Sequence, residues 1–152
     1  MAFPPSKAMA MALNEARLAA ARDEVPVGAV ISDAAGTIIA SAGNRTRELS
    51  DPTAHAEMLA IRAACARIAS ERLIGCTITV TLEPCAMCAA AIAAARLSRV
   101  VYGASDPKSG GVAHGARVFS HAQAHHRPEV VTGVAESEST ALLKDFFAAR
   151  RA

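Results

Sequence analysis

The sequence predicts an α/β fold, a sandwich of helices around one sheet of about five strands, and three observations carry that expectation. Stretches rich in β-branched residues alternate with stretches whose apolar residues recur every three to four positions. Hydrophobic residues make up 52% of the 152 residues and charged residues 20%, which suits one domain (residues 1–152) with a substantial core and no need of disulfides. Two short motifs, His55-Ala56-Glu57 and Pro84-Cys85-Ala86-Met87-Cys88, fall at junctions where a helix begins, and such junctions gather at one end of an α/β sheet.

Taken in order, residues 6–22 place Met9, Leu13 and Ala16 on one face and Lys7, Glu15, Arg17 and Arg22 between them, an amphipathic helix. Residues 27–31 and 37–40 flank a turn-rich connector at 32–36 and read as a hairpin of two strands. Residues 43–50 are polar and aperiodic, hence a loop. Asp51 followed by Pro52 predicts a helix capped by the aspartate with proline in its first turn, continuing through Met58, Ile61, Cys65 and Ile68. Residues 76–82 are β-branched and form a strand, after which Pro84 opens an Ala-rich helix over 85–97. A strand at 99–102, a loop at 106–111, a helix at 112–120 and a short strand at 129–132 follow. The last helix, 136–151, pairs Leu142 with Phe146 and Leu143 with Phe147 at i, i+4.

Composition narrows the function classes. No run approaches the roughly 20 apolar residues of a membrane-spanning helix, so no membrane segment is expected. Residues 1–7 show no basic region leading into an apolar one, so no secretory signal is read and a cytoplasmic location is expected. Four cysteines (Cys65, Cys76, Cys85, Cys88) in a reducing compartment argue against a disulfide framework. A formal charge of +2 leaves a nucleic-acid partner undecided, and an aromatic content of 3% without tryptophan rules out extended base-stacking platforms.

Cys85 and Cys88, at i and i+3, share one helical face, and a helix N-terminus favours the thiolate that zinc binds. With His55 they make three protein ligands, leaving the fourth tetrahedral position open as in catalytic rather than structural zinc sites. Glu57 is the carboxylate left over for acid–base work. A CxxC pair also suits a thioredoxin-type redox site, but His-x-Glu upstream is no part of that motif. A structural zinc would need a fourth ligand; Cys65 and Cys76 lack metal-type spacing and read as small buried hydrophobes.

His-x-Glu followed by Pro-Cys-x-x-Cys is a signature of zinc nucleobase deaminases. Together with residues 25–30 (VPVGAV), Asn44, 51–57 (DPTAHAE), 80–88 (VTLEPCAMC), 100–104, 106–108 and the ending from Phe146 and Phe147 to Arg150 and Arg151, the chain resembles the bacterial tRNA-specific adenosine deaminases of the cytidine deaminase superfamily. The resemblance implies a cytidine deaminase-like three-layer α/β/α sandwich with a mixed sheet, a homodimer, one Zn2+ per subunit, and conversion of adenosine to inosine at the wobble position of a tRNA anticodon arm, typically of an arginine tRNA. It implies that His55, Cys85 and Cys88 hold zinc, that Glu57 shuttles protons and that Asn44 binds the purine edge. Val27, Ala56, Asp106, Lys108, Phe147, Arg150 and Arg151 are carried over as further substrate contacts. Arg45 and Arg47 also match places where the family meets RNA, although an exposed arginine is as readily a solvated surface residue. His121, His125, His126 and Arg127 read as surface residues before phosphate ligands. The alternative is the same zinc chemistry on a free base or nucleoside, such as guanine or cytosine; Asn44, residues 106–108 and the 146–151 ending favour RNA.

Overall fold

The computed structural model describes residues 6–151; the expectation of no secretory signal over residues 1–7 falls mostly on residues 1–5, outside them. The elements run α1 (Lys7–Ala21), β1 (Gly28–Ser32), β2 (Ile38–Gly43), α2 (Ala56–Ile68), β3 (Thr77–Leu82), α3 (Ala86–Ala94), β4 (Arg99–Ala104), a 3-10 turn (Val118–Ser120), β5 (Glu129–Val131) and α4 (Glu136–Arg150). The five strands form one mixed sheet in the order β2-β1-β3-β4-β5. β1 is antiparallel to both β2 and β3, whereas β3, β4 and β5 are parallel.

Two apolar clusters, one on each face of the sheet, make the layers. Ala60 and Ala64 of α2 and Ala89, Ile92 and Ala93 of α3 cover Ile31, Ile78, Val80 and Val100 on one face. Met9, Ala12 and Leu13 of α1 pack on Val30, with Leu142 of α4 beside Val101, on the other. β1 is therefore buried along its whole length, which is why it reads as an uninterrupted apolar run rather than an alternating one. No helix among the described residues is long and apolar enough to cross a membrane.

Most boundaries fall within a residue or two of expectation, and the departures have local causes. The hairpin turns where Asp33 Oδ1 accepts the Ala35 and Thr37 N–H groups, both at 2.9 Å, and its second strand runs on to Gly43, paired with Gly28. The second helix starts at Ala56, not Pro52, because the Asp51 carboxylate is consumed earlier. Its Oδ1 accepts the Thr53 N–H at 2.8 Å and the Thr53 hydroxyl at 2.7 Å, an Asx turn. The Asp51 N–H meanwhile donates to Thr46 O, and the Arg45 N–H to Ala54 O, so this segment belongs to the preceding loop. Likewise Pro84 precedes the third helix instead of opening it, and Cys85 is the N-cap. That helix stops at Ala94, short of Leu97, as Arg96 turns left-handed with φ 61°. The helix expected over 112–120 does not form beyond Val118–Ser120; three of its N–H groups, those of Val112, Ala113 and His114, donate to Glu83 instead.

Candidate active site

Four chain segments converge at one end of the sheet, where β1 begins and β2, β3 and β4 end. Val25 and Val27 lead into β1, Asn44 follows β2, Glu83 and Cys85 follow β3, and Asp106 and Ser109 follow β4. With Thr46, His55, Glu57 and Leu82 they line a cavity of about 260 Å³. His55 and Cys85 are the N-caps of α2 and α3, both in extended conformation, so each delivers its side chain from the end of a helix rather than along its flank. Neither side chain caps its own helix, which leaves both free to face the other.

His55, Cys85 and Cys88 bring their donor atoms within 4.8 Å of one another. A tetrahedral zinc with bonds of about 2.0 Å to nitrogen and about 2.3 Å to sulfur requires an N···S edge of about 3.5 Å. His55 Nδ1 lies 3.6 Å from Cys85 Sγ and 3.5 Å from Cys88 Sγ, so the donor set fits zinc in spacing as well as in kind. Nδ1 is the nitrogen turned to the sulfurs. Cys85 is drawn down to about 4 by the hydrogen bond from Cys88, supported by the His55 ring. Cys88, donor to that thiolate and buried, is pushed up. The hydrogen bond to Cys85 raises His55.

Glu57, on the first turn of α2, is only 4% exposed and lines the cavity beside this triad. Burial pushes its carboxyl above the ordinary carboxylate range. Asn44 is only 7% exposed, its main chain fixed by its own N–H to Val27 O (3.1 Å) and by Arg22 onto its carbonyl (3.3 Å). Among the described residues no hydrogen bond reaches its carboxamide, which lines the cavity with donor and acceptor both available.

The remaining expected positions separate into groups. Val27 and Asp106 line the cavity, while Ala56 is fully buried and its methyl belongs to the core under α2. Lys108, Phe147, Arg150 and Arg151 line an adjoining, wider hollow of about 600 Å³ that shares Val25, Leu82, Asp106 and Ser109 with the cavity. Arg150 is tied within the chain: it pairs with Asp23, donates to Phe146 O at 3.1 Å and lies 3.4 Å over the Phe146 ring. Phe146 is buried and Phe147 is 44% exposed. Arg45 is likewise engaged, its Nε and Nη2 donating to Glu48 at 2.7 and 3.0 Å. Arg47 reaches Asp23 O at 3.3 Å. His126 hydrogen-bonds Leu97 O at 2.7 Å and Arg127 donates to His121 O, away from the cavity.

Sequence reasoning gives no role to two buried carboxylates, Glu83 in the cavity wall and Glu24 outside it. Glu24, 1% exposed, accepts the Arg47 N–H at 3.1 Å and the Glu48 N–H at 2.8 Å and so holds the loop after Asn44. Glu83, 2% exposed, holds the loop after β4. Burial alone would raise Glu83, but the Asp106 N–H, the His114 ring and further main-chain donors outweigh it and hold the carboxyl low. The signal in the sequence was an acidic residue at the apolar strand-to-proline junction, where an exposed carboxylate has no place.

Residues 4–104 match the cytidine and deoxycytidylate deaminase zinc-binding region. The fold and the three-donor site thus define a zinc deaminase, and the chain belongs to that family. Within it, the chain is 56% identical over 143 residues to the tRNA-specific adenosine deaminase of Agrobacterium fabrum, covering 94% of this chain and 93% of the relative, and it falls with the tRNA-specific adenosine deaminases. A solved structure from work on A-to-I editing by tRNA:A34 deaminases at the wobble position of transfer RNA superposes with a TM-score of 0.88 at 57% identity, over 90% of this chain and 98% of that one. Guanine deaminase from Nitrosomonas europaea superposes with a TM-score of 0.80 at 22% identity, over 97% and 87% of the chains, and shares the fold alone.

Proposed function

We propose that the protein hydrolyses the 6-amino group of adenosine at the wobble position of a tRNA anticodon arm, typically that of an arginine tRNA, leaving inosine and ammonia. The observation that carries this reading is the buried carboxylate of Glu57, outside the donor set, beside a zinc-shaped His55-Cys85-Cys88 triad, in a chain so close to tRNA-specific adenosine deaminases. Zinc held by those three residues supplies a Lewis acid that activates water as the nucleophile.

Glu57 accepts the proton of the attacking water and delivers it to ring N1 as oxygen adds to C6. The same carboxyl then takes the proton of the oxygen now bonded to C6 and gives it to the exocyclic amine, so that the C6–N bond breaks, the C6 carbonyl of inosine forms and ammonia departs. Its raised proton affinity suits both directions of transfer. Asn44, with an unengaged carboxamide, hydrogen-bonds the purine edge and fixes C6 over the triad. Val27 packs against the base. Asp106, Lys108, Phe147 and Arg151 receive the flanking nucleotides, and Arg150 supports that surface through Phe146 and Asp23.

The protein works as one deaminase domain in the cytoplasm and pairs as a homodimer, each subunit holding one zinc. Light scattering is expected to give about twice the 15.6 kDa chain mass; a fully active monomer would contradict the dimer. The substrate is tested by incubating the zinc-loaded protein with an arginine tRNA transcript bearing adenosine at the wobble position, beside free guanine, cytosine and adenosine. Inosine in the tRNA is expected; deamination of the free compounds alone would replace this reading with the free-base one.

A further inference from the structure

Two carboxylates lie buried beside the cavity on the strand-to-helix side, and they are spent differently. Glu57 is left for the reaction, whereas Glu83 is saturated by the loop that follows β4. Glu83 Oε1 accepts the Asp106 N–H at 3.1 Å and lies 2.8 Å from His114 Nδ1; Oε2 accepts the N–H groups of Val112, Ala113 and His114 at 3.2, 3.0 and 3.1 Å. Five donors on one carboxylate exceed its roughly four lone-pair sites, so no capacity remains for substrate. Residues 105–117 contain neither helix nor strand. Their main-chain donors lack a ladder of their own, and a buried N–H deprived of its acceptor costs most of a hydrogen bond.

The glycines show how tightly the loop is laid. A Cβ on Gly110 would stand 2.4 Å from Glu83 Oε2, and one on Gly111 would stand 2.4 Å from the Ala86 N at the start of α3. Gly111 N–H donates to Pro84 O at 2.8 Å. The loop is thereby pressed both onto the carboxylate and onto the helix that presents Cys85 and Cys88. Asp106 and Ser109 on this loop form a wall of the cavity, and Lys108 borders the adjoining hollow.

We infer that Glu83 is a positioning residue: its buried carboxylate, bound to four main-chain N–H groups and His114, sets residues 106–114 as the substrate-facing wall and takes no part in proton transfer. Which substrate that wall meets rests on the function proposed above. Glutamine is the informative replacement, because one of its two positions becomes a donor. With its oxygen toward Val112, Ala113 and His114, its NH2 opposes the Asp106 N–H, and the wall shifts at Asp106 first.

The test uses the zinc-loaded full chain with Glu83→Gln, Glu83→Ala and Gly110→Ala, read by zinc content, amide exchange, and kcat and KM on an anticodon stem-loop. Glu83→Gln is expected to raise KM about tenfold with kcat within about threefold, and Glu83→Ala to raise it further. Faster exchange is expected at Val112, Ala113 and His114 in Glu83→Ala, with zinc content and the pH profile of kcat unchanged. Gly110→Ala keeps the carboxylate but displaces the loop, so the same KM rise is expected even if the Glu83 variants fail to fold. Unchanged KM with protected amides would overturn the inference, as would a kcat loss at constant KM with a shifted pH profile. Zinc loss without faster loop exchange would overturn it too. Should the wild type make no inosine, the proposed function fails, while exchange and zinc content still decide the role of Glu83.

Discussion

The floor of the cavity and its rim are built in opposite ways. The floor, with His55, Glu57, Cys85 and Cys88, hangs from two helix N-termini whose helices are anchored in the apolar core. The rim, with Asp106, Lys108, Phe147, Arg150 and Arg151, is an irregular loop facing the end of the last helix, and it is largely exposed. Bond making needs groups held to fractions of an ångström, which packed secondary structure provides. Recognition of a flexible RNA strand works through exposed charge and adaptable loops. On the function proposed above, the molecule separates where it reacts from where it selects.

The largest way to break this division is at Glu57. Glu57→Gln is expected to lower kcat by about a thousandfold or more while zinc and RNA binding persist, measured by inosine formation, zinc content and filter binding. An active variant would mean that the proton carrier lies elsewhere. Asn44→Ala comes next, with a loss of about ten- to a hundredfold in kcat/KM, since one buried polar contact to the base disappears. Asn44 belongs to the floor by burial and to the rim by its contact with the base, so whether kcat or KM carries the loss sharpens where the boundary runs.

At the rim the effects shrink. Lys108→Ala and Arg151→Ala are each expected to raise KM about three- to tenfold, leave kcat alone, and flatten the salt dependence of binding by somewhat less than one unit of slope. Arg45→Ala is expected to change less, because its guanidinium is already paired with Glu48. Smallest is a change in the loop behind His55. The Thr53 hydroxyl and N–H hold the Asp51 carboxyl below its ordinary 3.8. A depressed carboxyl stabilises the fold fully above that ordinary value and ceases to as pH falls through the lower folded value. Thr53→Ala should move the Asp51 titration, followed by NMR, back up toward 3.8; an unmoved titration would assign the depression to something other than Thr53.

Floor and rim also differed in how well the sequence foretold them. The metal donors were legible because ligand spacing and helix starts are local properties, and His55 and Cys85 stand where the junctions place them. What went unread depended on contacts between distant residues. A helix starting at Pro52 fails because Asp51 satisfies Thr53 rather than a helical turn. A helix over 112–120 fails because Glu83, some thirty residues earlier in the chain, takes its N–H groups. The anchoring of Arg150 by Asp23, over a hundred residues away, and by the Phe146 ring is likewise a property of the folded chain alone. Local propensity cannot anticipate an acceptor that only the folded chain supplies.

The separation of floor from rim is tested most directly by single-turnover inosine formation on one wobble-adenosine anticodon stem-loop, with protein in excess and its concentration varied. Glu57→Gln and the double variant Lys108→Ala/Arg151→Ala are run side by side. The rim variant is expected to reach the wild-type rate at saturation but at a higher half-saturating concentration, and the floor variant to bind as the wild type does and form no inosine. A rim variant that stays slow at saturation, or a floor variant that loses binding instead of rate, would contradict the division.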